Sequence, residues 1–349
     1  MDSPLRITIV GAGAIGGLMA ARLAQVGHCV SVIARGAHLE AMQQHGLLLH
    51  SSEPEFGVQT APLLGSADPA ELARDRGPQD LIVIGLKAHA IPALLPRLQP
   101  LLGPHTRVLP AINGVPWWYF SEPLAALDPH GQAAQALEPS RILGCVVHLA
   151  AQLSAPGVVN HTAGRSLIVG EVVGPALRPG SAELLCGGGQ SARAGEPTLG
   201  AAQVVELLQE AGFAATLSSD IRTDVWTKLI GNLSFNPVAA LTGMRMDELC
   251  ADPAICALLR SLIDEGKAVA AALGIKLDIA AEARIEMARA LGKARISTLQ
   301  DFEGGRRPEL DALVGAVIEL ADRHQVAVPN LRQVYALARA RAQTLGLLD

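Results

Sequence analysis

Arg6-Ile7-Thr8-Ile9-Val10-Gly11-Ala12-Gly13-Ala14-Ile15-Gly16 decides the fold of the first half of the chain. A short apolar strand runs into a G-x-G-x-x-G turn. An Ala-rich amphipathic run follows through Leu18, Ala21, Leu23 and Ala24. Strand before and helix after is the context in which such a turn binds a dinucleotide. Gly11 allows the tight turn, Gly13 lets the backbone approach a pyrophosphate, and Gly16 allows close helix–strand packing. Ala12, Ala14 and Ile15 complete the cradle, and the helix N-terminus offers N–H groups and a positive dipole end to phosphate.

The next strand, Cys29-Val30-Ser31-Val32-Ile33-Ala34, ends on Arg35-Gly36. An acidic residue there would hold the ribose hydroxyls of NAD. A guanidinium instead matches the 2′-phosphate of NADP. The motif therefore predicts NADPH/NADP as cofactor, with Arg35 in contact with it. The competing reading is a Gly-rich turn that binds nothing.

Working outward, near-continuous apolar runs recur at 80–86, 107–112, 142–147 and 166–170, as in parallel strands buried on both faces. His38 to His45 reads as a short helix, Leu47–His50 as a β-like stretch, and Ala201–Ala211 as a helix before a last strand at 213–217. This predicts an α/β N-terminal domain with a Rossmann-type doubly wound sheet over 1–217, its later strands open to antiparallel pairing. The Val172–Leu199 stretch, with Cys186-Gly187-Gly188-Gly189, reads as a loop or mobile excursion. Beyond Ser218 apolar residues recur at helical spacing, at Ile255, Leu258, Leu259, Leu262 and Ile263 and again at Leu310, Leu313, Val314, Val317, Ile318 and Ala321. An all-helical C-terminal domain over 218–349 is predicted, with Pro329 stopping the helix that holds the second set.

Composition narrows the classes. The chain has 349 residues, a net charge of −5 and only 3% aromatics. No basic cluster points to nucleic acid, no apolar run approaches the roughly 20 residues of a membrane span, and the N-terminus has no signal-peptide shape. A cytoplasmic protein is expected. The five cysteines include no C-x-x-C, so neither a disulfide framework nor a metal site is expected. Cys29 and Cys145 lie in apolar runs and read as buried thiols.

Polar residues follow the strands where ligands of open α/β sheets collect: Arg35, Lys87 and Asn113. A second constellation is Trp226-Thr227-Lys228-Leu229-Ile230-Gly231-Asn232-Leu233-Ser234-Phe235-Asn236-Pro237. Lys228, Asn232 and Asn236 fall at i, i+4 and i+8, one helical stripe drifting about 40° per step. One cation and two amides suit an anionic, oxygen-rich small molecule, and a solvated helix face is the plainer alternative. A third stretch, Ser297 to Glu309, reads as helix, Gly304-Gly305 turn, helix, with Ser297 and Asp301 able to cap or to bind.

Together these stretches resemble the ketopantoate reductase family (2-dehydropantoate 2-reductases) from Ile7 to about Asn330. The resemblance is carried by the glycine turn, Lys87, Asn113-Gly114, Trp226-x-Lys228-x-x-x-Asn232-x-x-x-Asn236-Pro237, Ser297-x-x-x-Asp301 and Glu309, in that order. It implies NADPH-dependent reduction of 2-dehydropantoate to pantoate, in pantothenate biosynthesis. Lys228 is then the catalytic acid, and Glu309 assists catalysis and substrate binding. Asn232, Asn236 and Ser297 hold substrate, Asn113 lies near nicotinamide and substrate, and Lys87 contacts cofactor. The partner implied is a small 2-oxo acid, with a homodimer left open. Three features depart from the family pattern: Met244-Arg245-Met246 stands where a further substrate Asn is usual, Trp117-Trp118-Tyr119-Phe120 makes a bulky loop after Asn113, and the 172–199 stretch is long. Two other readings stand beside the first: a reductase of another branched or aromatic 2-oxo acid, and a non-catalytic NADP-binding sensor.

Overall fold

The glycine turn works because three backbones meet where no side chain fits. A methyl on Gly16 would strike the Gly11 carbonyl, and one on Gly85 would lie 2.8 Å from Gly16 Cα and 2.9 Å from Gly11 O. Gly11 sits at φ +89° and leaves room for Leu86, whose Cγ would lie 2.6 Å from an added Cβ. The strand β1 (Arg6–Val10) thereby feeds directly into the helix α1 (Ala14–Gln25) while β6 (Gln79–Ile84) lies alongside β1.

The computed structural model describes residues 3–172 and 199–348. Nearly all of the expected excursion, 173–198, lies outside the described residues. The chain divides into two units, whose described residues are 3–112, 131–172 and 199–221 in the first and 113–130 and 222–348 in the second. The sequence reading draws its boundary at 217/218. The structure adds that 113–130, which that reading leaves in the first domain, packs with the helical unit.

In the first unit, β2 (Cys29–Ile33), β5 (Leu64–Ser66) and β7 (Leu102–Pro110) join β1 and β6 in a parallel sheet ordered β5-β2-β1-β6-β7. The helices α2 (Gly36–His45), α3 (Pro69–Arg76) and α4 (Ile91–Leu94) belong to its connections. The inner strands are buried on both faces, down to the hydroxyl of Thr8, which meets Ser31 at 2.9 Å and donates to Gln79 at 3.0 Å. Cys29 opens β2 at an exposed end, against the expectation of a buried thiol, because the first residue of the strand lies outside the covered sheet face.

The later strands form a second sheet of their own. The strands β3 (Leu47–Ser51), β4 (Val58–Ala61), β8 (Leu143–Ala155), β9 (Val158–Glu171) and β10 (Ala214–Leu217) assemble in the order β10-β9-β3-β4, with β8 antiparallel to β9. The segments read as separate strands at 142–147 and 166–170 are the two ends of one long hairpin. Its polar middle hides the pairing, and bulges near His148 and Ala150 break the alternation. The short helix α5 (Gln132–Ala136) precedes it, and α6 (Ala201–Glu210) packs on β9 and β10.

The second unit is helical: α7 (Ile221–Thr242), α8 (Met246–Ala251), α9 (Pro253–Ala272), α10 (Ala281–Arg289), α11 (Ser297–Glu303), α12 (Ala316–Arg323) and α13 (Pro329–Thr344). A π-helical turn at Asp311–Gly315 opens onto α12. Pro329 does not stop α12, which ends at His324; it occupies the first turn of α13, where a missing N–H costs nothing. Leu310, Ala338, Ala342 and Phe302 close one core cluster with Ala240 of α7. Among the described residues no helix is long and apolar enough to cross a membrane.

Filling the glycine junction tests this packing. Gly85→Ala is expected to destabilise the protein by about 1–3 kcal/mol through overpacking against immobile backbone. A denaturant midpoint that falls at constant slope measures it.

Candidate active site

In the first unit the glycine turn and the end of β2 meet at one cavity. The turn residues Gly11, Ala12 and Gly13 line a cavity of about 420 Å³ together with Ala34, Arg35 and His38 after β2, and Ala90, Leu94 and Arg97 on the facing helical stretch. Gly13 caps α1 without a side chain, and no acidic residue stands in the first turn of α1. The helix end therefore presents its dipole without a competing carboxylate. Arg35 caps α2 and is exposed at the cavity wall. Lys87 follows β6, half-buried, and precedes a short 3₁₀ turn. These residues fit an anionic dinucleotide: backbone that approaches closely, a bare helix N-terminus and a guanidinium at the end of β2.

His38, one turn beyond Arg35, was not singled out by sequence. Its Nδ1 accepts the Gly157 N–H at 2.9 Å, which leaves Nε2 as the protonated nitrogen that donates to Ala12 O at 2.6 Å. The imidazole is thus held as the neutral Nε2–H tautomer between the glycine turn and the β8–β9 turn. The only sequence signal for it is its position on the inner side of α2.

In the second unit the stripe lies on a helix that has almost no solvent face. Every residue of α7 from Leu229 to Ala240 except Asn232 is buried. Asn236 is 3% exposed, so the stripe is not a solvated face. Its Oδ1 is buried with no hydrogen-bond partner among the described residues. Lys228 and Asn232 are half-buried. Lys228 Nζ donates to Asn113 Oδ1 at 2.6 Å, bringing together two residues 115 apart in sequence. Pro237 sits inside the helix, where it removes one backbone donor.

The segment that carries Asn113 is pinned to the helical unit at several points. Val115 N–H donates to Ala312 O at 2.9 Å, a carbonyl within the π-helical turn. Gly114 stands at φ +82°, and a Cβ there would lie 2.7 Å from the Ala312 carbonyl carbon. Farther on, Glu319 accepts the N–H groups of Ala125 and Ala126, both at 3.0 Å. The bulky aromatics of this segment are anchors: Trp117, Trp118 and Tyr119 are all buried. Arg222 of α7 lies 4.8 Å from the Tyr119 ring centroid and bonds the Tyr119 carbonyl, and Tyr119 Oη donates back to Arg222 O at 3.0 Å. Aromatic bulk after Asn113 thus serves packing.

Glu309 is half-buried immediately before the π-helical turn. Ser297 is exposed in the first turn of α11 and caps nothing, since Ile296 holds the cap position. Asp301, 7% exposed, accepts from Arg306 Nε at 3.1 Å across the Gly304-Gly305 turn. The structure thus joins Lys228 directly to Asn113, while Ser297 makes no side-chain hydrogen bond among the described residues. No metal-binding group of His, Cys, Asp and Glu occurs among them.

Comparison with known proteins decides the family. The family model described as ketopantoate reductase PanE/ApbA matches residues 7–174, and the one described as its C-terminal part matches 220–342. The chain belongs to the ketopantoate reductase family. It is 40% identical to the 2-dehydropantoate 2-reductase of Mesorhizobium japonicum over 98% of this chain and 99% of that one. A solved chain from Ralstonia solanacearum MolK2 superposes with a TM-score of 0.85 at 38% identity, over 99% and 100% of the two chains. A D-mandelate dehydrogenase solved with NADH and anilino(oxo)acetate shares the fold, with a TM-score of 0.79 at 22% identity over 98% and 99%. Membership makes the chain a pyridine-nucleotide-dependent oxidoreductase acting on the ketone/alcohol pair.

Gly114 tests the pinning of the Asn113 segment. Gly114→Ala combines a left-handed backbone with a clash against Ala312 and is expected to cost about 2–4 kcal/mol of unfolding free energy. Chemical denaturation monitored at the tryptophans, two of which lie in this segment, provides the measurement.

Proposed function

We propose that this chain reduces 2-dehydropantoate to pantoate with NADPH, as a step of pantothenate biosynthesis in the cytoplasm, and that Lys228 is the general acid. The observation that carries the reading is the 2.6 Å bond from Lys228 Nζ to Asn113 Oδ1, found in a chain of the ketopantoate reductase family. A bond to an amide fixed by its own segment gives the ammonium a direction.

The nucleotide, when bound, supplies hydride to the keto carbon. The chain's own residues do the rest. Gly11, Ala12, Gly13, Ala14, Ile15 and Gly16 cradle the pyrophosphate through backbone N–H groups, and Arg35 pairs with the 2′-phosphate. Lys87 contacts the cofactor from the end of β6. Asn113 orients Lys228 and reaches toward both nicotinamide and substrate. Lys228 gives a proton to the substrate oxygen as negative charge builds there. Glu309 grips a substrate hydroxyl or orients Lys228, and Asn232, Asn236 and Ser297 hold the polar end of the substrate.

The D-mandelate dehydrogenase likeness keeps a second substrate class in view, an aromatic 2-oxo acid. The bulky loop after Asn113 is the sequence feature behind that class; its Trp117, Trp118 and Tyr119 are buried, with Arg222 over the rings of Trp118 and Tyr119, which gives the bulk a packing role as well. NADPH oxidation with a panel of 2-oxo acids separates the readings. The expected result is highest kcat/KM with 2-dehydropantoate; preference for an aromatic acid overturns the substrate assignment, and no turnover with any acid favours a sensor.

Two variants test the roles. Lys228→Ala is expected to lower kcat by about 10²–10⁴-fold with NADPH binding intact. Near wild-type turnover removes Lys228 as the acid. Arg35→Ala is expected to raise the KM for NADPH strongly and change that for NADH little, because a free ribose hydroxyl makes no fork with guanidinium. A wild-type preference for NADH contradicts this assignment.

A further inference from the structure

Arg284 of α10 is a half-buried cation that no described residue neutralises. Its guanidinium makes no hydrogen bond or ion pair among them. It lies 5.7 Å from the Phe235 ring centroid and fills a notch at Gly231, where an added Cβ would stand 2.6 Å from Cζ and 2.8 Å from Nε. Burial pushes the guanidinium below its ordinary value, but an arginine stays charged at neutral pH.

The notch is on the helix that bears the Lys228 stripe. On the helical wheel Phe235 and Gly231 lie about 20° and 60° to one side of Lys228, and Asn232 and Asn236 about 40° and 80° to the other. Gly231 is three residues from Lys228, about 4.5 Å along the axis. The cation therefore flanks the stripe. Glycine within a helix is unfavourable relative to alanine, and a desolvated charge is unfavourable without a counter-ion. A role in packing alone explains neither, since alanine facing an aliphatic residue would fill the same space without cost. An anion between the guanidinium and the stripe explains both. A carboxylate matches the guanidinium fork with two parallel bonds.

We propose that Arg284 binds the carboxylate of the 2-oxo acid, so that one end of the substrate is held by a guanidinium while the keto oxygen meets Lys228. This rests on the reading of the chain as a 2-oxo acid reductase, and it assigns substrate recognition to a residue outside the Lys-Asn stripe.

Steady-state kinetics with 2-dehydropantoate and NADPH test it. Arg284→Met is expected to raise the KM for the oxo acid about tenfold or more, leaving kcat within about threefold and the KM for NADPH unchanged. Arg284→Lys is expected to fall between, since an ammonium keeps the charge but not the fork. Gly231→Ala, which displaces the guanidinium and raises helix propensity, is expected to move KM in the same direction, and it decides the matter if Arg284→Met does not fold. An unchanged KM in the folded variants, or an equal loss of NADPH binding, overturns the proposal. If the wild-type protein reduces no 2-oxo acid, the functional reading falls instead. Calorimetric titration with oxalate then judges Arg284: binding by wild type that Arg284→Met abolishes upholds the anion site, and equal binding or none overturns it.

Discussion

A helix buried on nearly every side must find internal partners for its polar groups, and this constraint organises the second unit. From Leu229 to Ala240 only Asn232 of α7 is partly open to solvent. Ser234 bonds back to the carbonyls of Ile230 and Gly231 at 2.7 and 3.1 Å. Pro237 deletes a donor in the same stretch. Lys228 is directed by an amide that arrives from a segment more than a hundred residues earlier. Asn236 keeps an acceptor unpaired. An unsatisfied buried acceptor costs about 1–3 kcal/mol, a cost that a donor brought by a ligand would offset.

The first unit depends on a different economy, that of atoms left out. Gly11, Gly16 and Gly85 let the turn, the helix and β6 meet backbone to backbone. The phosphate cradle needs this because N–H groups reach an anion only when no side chain intervenes. His38 then supplies what glycine lacks, rigidity. Donor on one side and acceptor on the other fix both its tautomer and its ring plane, and Ala12 is tied to Gly157 through it.

Much of this was legible in the sequence, and the limits have physical causes. The glycine turn, the buried parallel strands and the helical second half follow from periodicity and backbone sterics, which are local. The long hairpin escaped because His148 to Arg165 is polar and bulged, and strand pairing there is decided by β3 and β10, which are far away in sequence. Pro329 misled because a proline that ends one helix and a proline that begins the next leave the same mark on hydropathy. The stripe at 228, 232 and 236 was readable from spacing, but its burial was not. The bond from Lys228 to Asn113 depends on how the 113–130 segment packs, through Arg222, Glu319 and the carbonyl of Ala312. No local pattern carries that information. His38 and Arg284 escaped for the same reason: each is an ordinary helical residue until its neighbours are known.

Read for stability alone, α7 and its surroundings are poorly made. Gly231 and Pro237 weaken the helix, Asn236 carries an unmet acceptor, and Arg284 carries an unmet charge. Each defect has a simple repair, alanine for the glycine and aliphatic residues for the amide and the guanidinium, and repairs of this kind commonly add stability. Unmet polar atoms also lie elsewhere, at His28, Gln59, Trp117 and Trp118, but the four features named here are neighbours. Gly231, Asn236 and Pro237 fall within one stretch of α7, and Arg284 of α10 packs against that stretch at Gly231. Sequences that agree with their fold at every other level break local rules where function demands it. The proposed role of Lys228 is in keeping with this grouping: the Asn236 acceptor and the Arg284 guanidinium are the groups on and against α7 that a polar ligand would satisfy.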